Sequence, residues 1–131
     1  IIIQAAAPAD FTPLSFAEEK IKKDDDGNIT FIMKQTQDVA QAVGKRKLPG
    51  QVLIGFAAET EKVNEHAKKK LAKKNLDMIV ANDVTMPGAG FNVDTNIVTF
   101  ITEDGMEDMP QLSKADVAEK LLDRALKLYR K

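Results

Sequence analysis

Apolar residues in this chain fall into short runs separated by polar, glycine-containing segments, and the runs switch between strand-like and helix-like periods. The opening Ile1-Ile2-Ile3-Gln4 is β-branched and predicts a strand buried on both faces. Pro8, Pro13 and the small residues around Asp10 mark a loop, and Asp25-Asp26-Gly27-Asn28 marks a turn. Ile29 to Met33 has strand propensity. Thr36 is placed to cap a short helix through Val43 that Gly44 closes, before a basic loop from Lys45 to Gly50.

Val52 to Ala58 is the clearest buried strand, and Gly55 inside it points to a close approach by another group. Thr60 then caps a predicted helix from Glu61 to Lys74, which Asn75 ends. Leu76 to Ala81 is a second short apolar strand, Asn82 to Asn96 a long loop, and Ile97 to Thr102 a third strand closed by an Asp104-Gly105 turn. The last helix has the strongest local signals. Ser113 and Asp116 resemble a capping box, Leu112 and Val117 have the spacing of a hydrophobic staple, and Val117, Leu121, Leu122, Ala125 and Leu128 form a stripe. This alternation predicts an α/β domain with a mostly parallel sheet flanked by helices. Ligands of such sheets bind outside the strands' carboxyl ends, here Ala5 to Asp10, Phe56 to Thr60 and Ala81 to Val84.

The helix from Glu61 to Lys74 carries the most informative charges. At about 100° per residue from Val63, Ala67 falls near +40°, Leu71 near +80°, Lys70 near −20° and Lys74 near +20°. Lys62, Lys68, Lys69 and Lys73 fall on the other faces, and His66 reads as a surface residue. Two lysines on the apolar side admit two readings. Their stems can cover apolar surface while the ammonium groups reach water. Alternatively, like charges one turn apart are reconciled by a shared polyanion, and a triphosphate at the ligand edge of the sheet satisfies that.

Composition narrows the classes. The 131 residues suffice for one domain, and 44% hydrophobic with 30% charged is ordinary for a globular protein. The net charge of −1, with one tyrosine and no tryptophan, argues against nucleic acid as partner. The absence of cysteine excludes disulfides, thiolate metal sites and a cysteine nucleophile, and no run is long enough for a membrane helix. A cytoplasmic enzyme is the expected class. Asp10 is suited to hold Mg²⁺ on phosphate oxygens or simply to cap a turn, and Lys20 sits in the charge run Glu18-Glu19-Lys20-Ile21-Lys22-Lys23. Gly88-Ala89-Gly90 lacks the Lys-Ser/Thr of a P-loop.

Several segments, in order over nearly the whole chain, resemble phosphopantothenoylcysteine synthetase. They are Ala6-Ala7-Pro8-Ala9-Asp10-Phe11, Glu19-Lys20-Ile21-Lys22-Lys23, Gly55-Phe56-Ala57-Ala58-Glu59-Thr60, Lys70 with Lys74-Asn75-Leu76-Asp77, Ala81-Asn82-Asp83-Val84, and Gly90-Phe91-Asn92 with Asp94-Thr95-Asn96. In bacteria this is usually the C-terminal half of a bifunctional coenzyme A biosynthesis flavoprotein. The resemblance implies a Rossmann-like three-layer fold, with residues 1–131 the C-terminal portion of one synthetase domain. On this resemblance the family's opening βα unit, with an asparagine that acts on the acyl-cytidylate, and the FMN-binding decarboxylase domain are expected to lie outside residues 1–131.

The implied reaction joins 4′-phosphopantothenate to cysteine. CTP activates the carboxylate as an acyl-cytidylate, pyrophosphate leaves, and the cysteine amine displaces CMP. Asp10 matches the family's nucleotide and Mg²⁺ aspartate. Lys20 matches the lysine before a flap that closes over the site, binding nucleotide and acting in catalysis. Phe56, Lys70 and Lys74 match further nucleotide positions, as do Gln37, Asp38, Val39 and Ala40, where Gln37 replaces the family's proline and leaves that contact to backbone. Ala6 and Ala7 match small residues that let a ligand approach. Family members are homodimers formed partly through extended strands, for which Ile29 to Met33 and Ile97 to Ile101 are the candidates. An ATP-using relative is a small variation on this reading, and a non-catalytic or regulatory nucleotide-binding module on the same fold is the alternative.

Overall fold

The structure, a computed structural model, describes residues 1–22, 27–89 and 92–130. The chain divides into two compact units, one comprising Ile1–Ala6 with the chain from Ala40 onward, the other Ala7–Val39.

The first unit is built on a five-stranded sheet. Its strands are β1 (Ile2–Gln4), β4 (Leu53–Glu59), β5 (Met78–Asp83), β7 (Val98–Ile101) and β8 (Met106–Asp108), adjacent in that order. β1, β4 and β5 run parallel, β7 pairs antiparallel to β5 and β8 antiparallel to β7, so the sheet is mixed and parallel in the half that carries the candidate site. Register pairs Gln4 with Gly55 and Glu59 with Asp83, which aligns the carboxyl ends of β4 and β5 along one edge. A further short pair joins β6 (Thr95–Asn96) to β9 (Leu112–Ser113).

The period-two alternation of β4 sorts its side chains onto two faces. Val52 and Ile54 join Met78, Val80, Val98 and Phe100 beneath Val117, Leu121 and Ala125 of α3 (Lys114–Tyr129). Leu53 and Ala57 join Ile79, Ala81 and Ile101 against Ala67 of α2 (Val63–Lys73), with Val43 of α1 (Val39–Arg46) beside them. Helices therefore cover both faces and give the expected three layers. Leu53, Ile54, Met78, Val80 and Ile101 are all less than 2% exposed, each contributing roughly 1.5–3 kcal/mol of transfer free energy. Gly55 has the predicted role. A Cβ there would stand 2.8 Å from Leu76 Cδ1, so a side chain would displace the residue that leads into β5.

Local signals held where they were strongest. Ser113 caps α3, its Oγ accepting from the Asp116 N–H at 3.0 Å. Other boundaries moved. Gly44 does not close α1 but lies buried within it, packed against the Lys74 carbonyl. Thr36 caps no helix, because its hydroxyl donates to the Ala9 carbonyl at 2.6 Å. Thr60 does not cap α2 either; Lys62 takes that place in the left-handed region, φ 45°, without a side-chain cap. β1 is half-buried at the sheet margin rather than enclosed, with Ile3 37% exposed.

The second unit holds an antiparallel pair, β2 (Phe11–Pro13) with β3 (Met33–Gln35), extended by Leu14 N–H donating to Ile32 O at 2.8 Å. The expected strand from Ile29 thus begins its pairing later. Phe16, Ile29, Phe31, Ile32 and Met33 are exposed within this unit. The Asp25-Asp26 part of the predicted turn, Lys23 and Gly90-Phe91 lie outside the described residues.

Candidate functional site

The helical arithmetic on α2 is realised. Lys70 and Lys74 are half-buried, while Lys62, Lys68, Lys69 and Lys73 are exposed. Helical side chains lean toward the helix N-terminus, and α2 runs back along β4, so Lys70 reaches the strand's carboxyl end. There its Nζ donates to Glu59 Oε1 at 2.6 Å. The other carboxylate oxygen of Glu59 lies 3.5 Å from His66 Nδ1. Glu59 ends β4 and its side chain is only 15% exposed.

Two sequence expectations change here. His66 is not a surface residue; at −60° on the helical wheel it sits beside Lys70, and it is half-buried against Glu59. Lys70 already has an internal counter-ion, so repulsion from Lys74 alone no longer demands a polyanion. Sequence reasoning gave Glu59 no role, although a carboxylate at a buried strand's end, followed by a helix with inward lysines, was the available signal. Lys74 is the C-cap residue of α2, its N–H donating to the Lys70 carbonyl at 3.0 Å while the Asn75 N–H donates to the Ala72 carbonyl at 3.3 Å.

The rest of this edge is polar. Asp83, at the end of β5, accepts from the Thr85 hydroxyl at 2.6 Å and the Thr85 N–H at 2.9 Å, and these bonds hold its carboxyl below the ordinary range. Asn82 donates from Nδ2 to the Ala89 carbonyl at 2.9 Å, while its Oδ1 is buried without a partner among the described residues. Phe56 projects to the α3 face, 45% exposed beyond the buried Ile54. It thus offers an open aromatic face on the side of β4 opposite Lys70 and Glu59. Ala6 follows β1 and is exposed, as is Ala7 at the start of the second unit.

Asp10, Lys20, Gln37, Asp38 and Val39 belong to the second unit, and Ala40 begins the helical part of the first. Asp10 is exposed, and its backbone is tied down because its carbonyl accepts the Thr36 N–H at 2.9 Å. Lys20 and Gln37 are exposed, whereas Asp38 is half-buried. No group of three or more potential metal ligands occurs among the described residues. An exposed carboxylate on a tied-down backbone, such as Asp10, fits Mg²⁺, which keeps several waters and takes one or two carboxylates beside phosphate oxygens.

An open cleft of about 460 Å³ lies at the other end of the sheet, lined by Val52, Leu71, Asn75, Asp77, Glu103 and Leu128. It borders the amino ends of β4 and β5, opposite the edge where open α/β sheets bind ligands, and we do not assign the site to it.

Comparison with known proteins agrees with this architecture. The coenzyme A biosynthesis bifunctional protein CoaBC of Bacillus subtilis is 50% identical over 123 residues, 93% of this chain and 30% of that protein. A cysteine/cysteine sulfinic acid decarboxylase from an unknown prokaryotic organism is 43% identical over 129 residues, 98% of this chain and 36% of that protein. The chain therefore spans about a third of the length of these relatives. A crystal structure of the C-terminal domain of a coenzyme A biosynthesis bifunctional protein CoaBC superposes with a TM-score of 0.73 at 33% identity, covering 100% of this chain and 57% of that one. With residues 1–129 matching its profile, the chain belongs to the DNA/pantothenate metabolism flavoprotein C-terminal domain family.

Proposed function

We propose that this chain is part of a ligase that forms the amide between 4′-phosphopantothenate and cysteine, using CTP through an acyl-cytidylate. Its relatives named for coenzyme A biosynthesis support a role in that pathway. The observation that carries the chemistry is the placement of Lys70, half-buried, with its ammonium at the carboxyl end of β4.

Attack on the nucleotide α-phosphate builds negative charge on the phosphate oxygens and on departing pyrophosphate. Preorganised cations at that position lower the barrier because they need not reorient as charge develops. Lys70 and Lys74 supply such charge from one helix. Asp10 would hold Mg²⁺, which adds charge neutralisation on phosphate oxygens when bound. Phe56 provides an apolar face for a base. Lys20 and the segment Gln37, Asp38, Val39 and Ala40 are proposed as further nucleotide contacts, with Lys20 acting as the flap closes. Ala6 and Ala7 leave room for the reacting carboxylate.

Assembly as a homodimer is part of the same reading. The exposed Ile29, Phe31, Ile32 and Met33 support it. Ile97 to Ile101 does not serve in this way, because β7 is already paired on both edges, with β5 and β8. Among the described residues no helix is long and apolar enough to cross a membrane, and we propose a cytoplasmic setting for these soluble substrates. The test is pyrophosphate release by the full-length protein. Release that requires CTP and phosphopantothenate together supports the ligase, and CTP binding without turnover identifies a regulatory module instead.

A further inference from the structure

Glu59 has no part in the reaction outlined above, yet its carboxylate is built into the site. One oxygen takes Lys70 Nζ at 2.6 Å and the other lies 3.5 Å from His66 Nδ1, so the fork spans two residues one turn apart on α2. Its own backbone is fixed, since β4 pairs Glu59 with Asp83 and its carbonyl accepts the Val84 N–H at 3.1 Å. The carboxylate is 15% exposed and Lys70 is 43% exposed, so the acid is sheltered while the ammonium keeps an outward side. An ammonium has three donors, and Glu59 Oε1 takes one.

We propose that Glu59 is a positioning residue for oxyanion binding: it holds the Lys70 ammonium over the carboxyl end of β4 with its remaining donors available to a phosphate. The inference rests on the nucleotide reading for the identity of the natural ligand, but its own ligand class is broader, a polyphosphate. A lysine side chain otherwise loses rotamer freedom when its ligand arrives, and prior fixation removes part of that cost. His66 Nδ1 flanks the second oxygen at 3.5 Å.

The test uses the full-length protein with Mg²⁺ and two probes, inorganic pyrophosphate and CTP. Pyrophosphate affinity should fall roughly threefold to tenfold in Glu59→Gln, the scale of one side chain left unfixed. In a Lys70→Ala background the same substitution should cause no further loss. The Lys70 Nζ signal in nitrogen NMR should move in Glu59→Gln while those of Lys62 and Lys73 stay, and melting temperatures show whether the fold is retained. Unchanged or tighter pyrophosphate binding in Glu59→Gln overturns the proposal, as does an equal loss with and without Lys70, or a wild-type protein that does not bind pyrophosphate. CTP binding no tighter than pyrophosphate overturns the nucleotide reading separately, leaving Glu59 to be judged on the pyrophosphate series.

Discussion

Lys47 and Asp77 form a clamp at the amino ends of the parallel strands. Lys47 Nζ lies 2.9 Å from each Asp77 oxygen and 3.0 Å from the Asn75 carbonyl, and Asp77 Oδ2 also accepts the Leu53 N–H at 2.7 Å. One carboxylate therefore ties the start of β4, the turn after α2 and the segment after α1. Lys47 is only 12% exposed. The clamp lies opposite the candidate site and fixes the scaffold from which Glu59 and Lys70 are presented.

Asp77→Ala removes an acceptor shared by a half-buried ammonium and a backbone N–H. A loss of about 2–3 kcal/mol is expected, the scale of charge-assisted hydrogen bonds whose partners are left unsatisfied. Urea denaturation of both proteins measures it. A change below about 0.5 kcal/mol, typical of an exposed position, would contradict the clamp.

Gly44 and Gly105 provide a matched pair. A Cβ at Gly44 would lie 1.9 Å from the Lys74 carbonyl oxygen, a backbone atom, whereas one at Gly105 meets nothing within 4 Å. Gly44→Ala must separate α1 from the end of α2, with an expected loss of about 3 kcal/mol or more. Gly105→Ala should change stability by less than about 0.5 kcal/mol. Equal melting temperatures for the two variants would contradict the close approach.

Glu107 of β8 and Arg124 of α3 make stability respond to acid. Arg124 Nε donates to Glu107 Oε2 at 3.0 Å, and this bond holds the carboxyl below its ordinary range while raising Arg124. Because the folded value is depressed, the contribution is full above the ordinary Glu value of about 4.3 and is lost as pH falls through the lower folded value. Arg124 stays protonated throughout. Melting curves of wild type and Glu107→Gln should differ slightly near neutrality and converge in acid. A constant offset across that window would contradict the pair's role.

What could be read from sequence follows the range of the interaction. The α3 cap is set by Ser113 and Asp116, three residues apart, and β4 by an unbroken apolar run; both are legible locally. β8 was missed because Met106, Glu107 and Asp108 are all exposed and carry no alternation, so only pairing with β7 makes them a strand. Thr36 and Thr60 have the chemistry of caps, but capping depends on backbone direction, and Thr36 is engaged by Ala9, 27 residues away. The inward face of α2 followed from its period, while the Glu59–Lys70 pair required knowing that the helix returns along the strand before it. The family's motifs named Lys70 without revealing its partner.

The central claim is that Lys70 meets a nucleotide's phosphates, and titration of the full-length protein with CTP and Mg²⁺ tests it most directly. Lys70→Ala should weaken CTP binding roughly tenfold, the scale of one charge-assisted contact, while Lys69→Ala, whose partner is the exposed Glu65 on the same helix, should leave it unchanged. Equal affinities for wild type and Lys70→Ala would mean that the ammonium serves only Glu59 and that the phosphates, if bound, lie elsewhere.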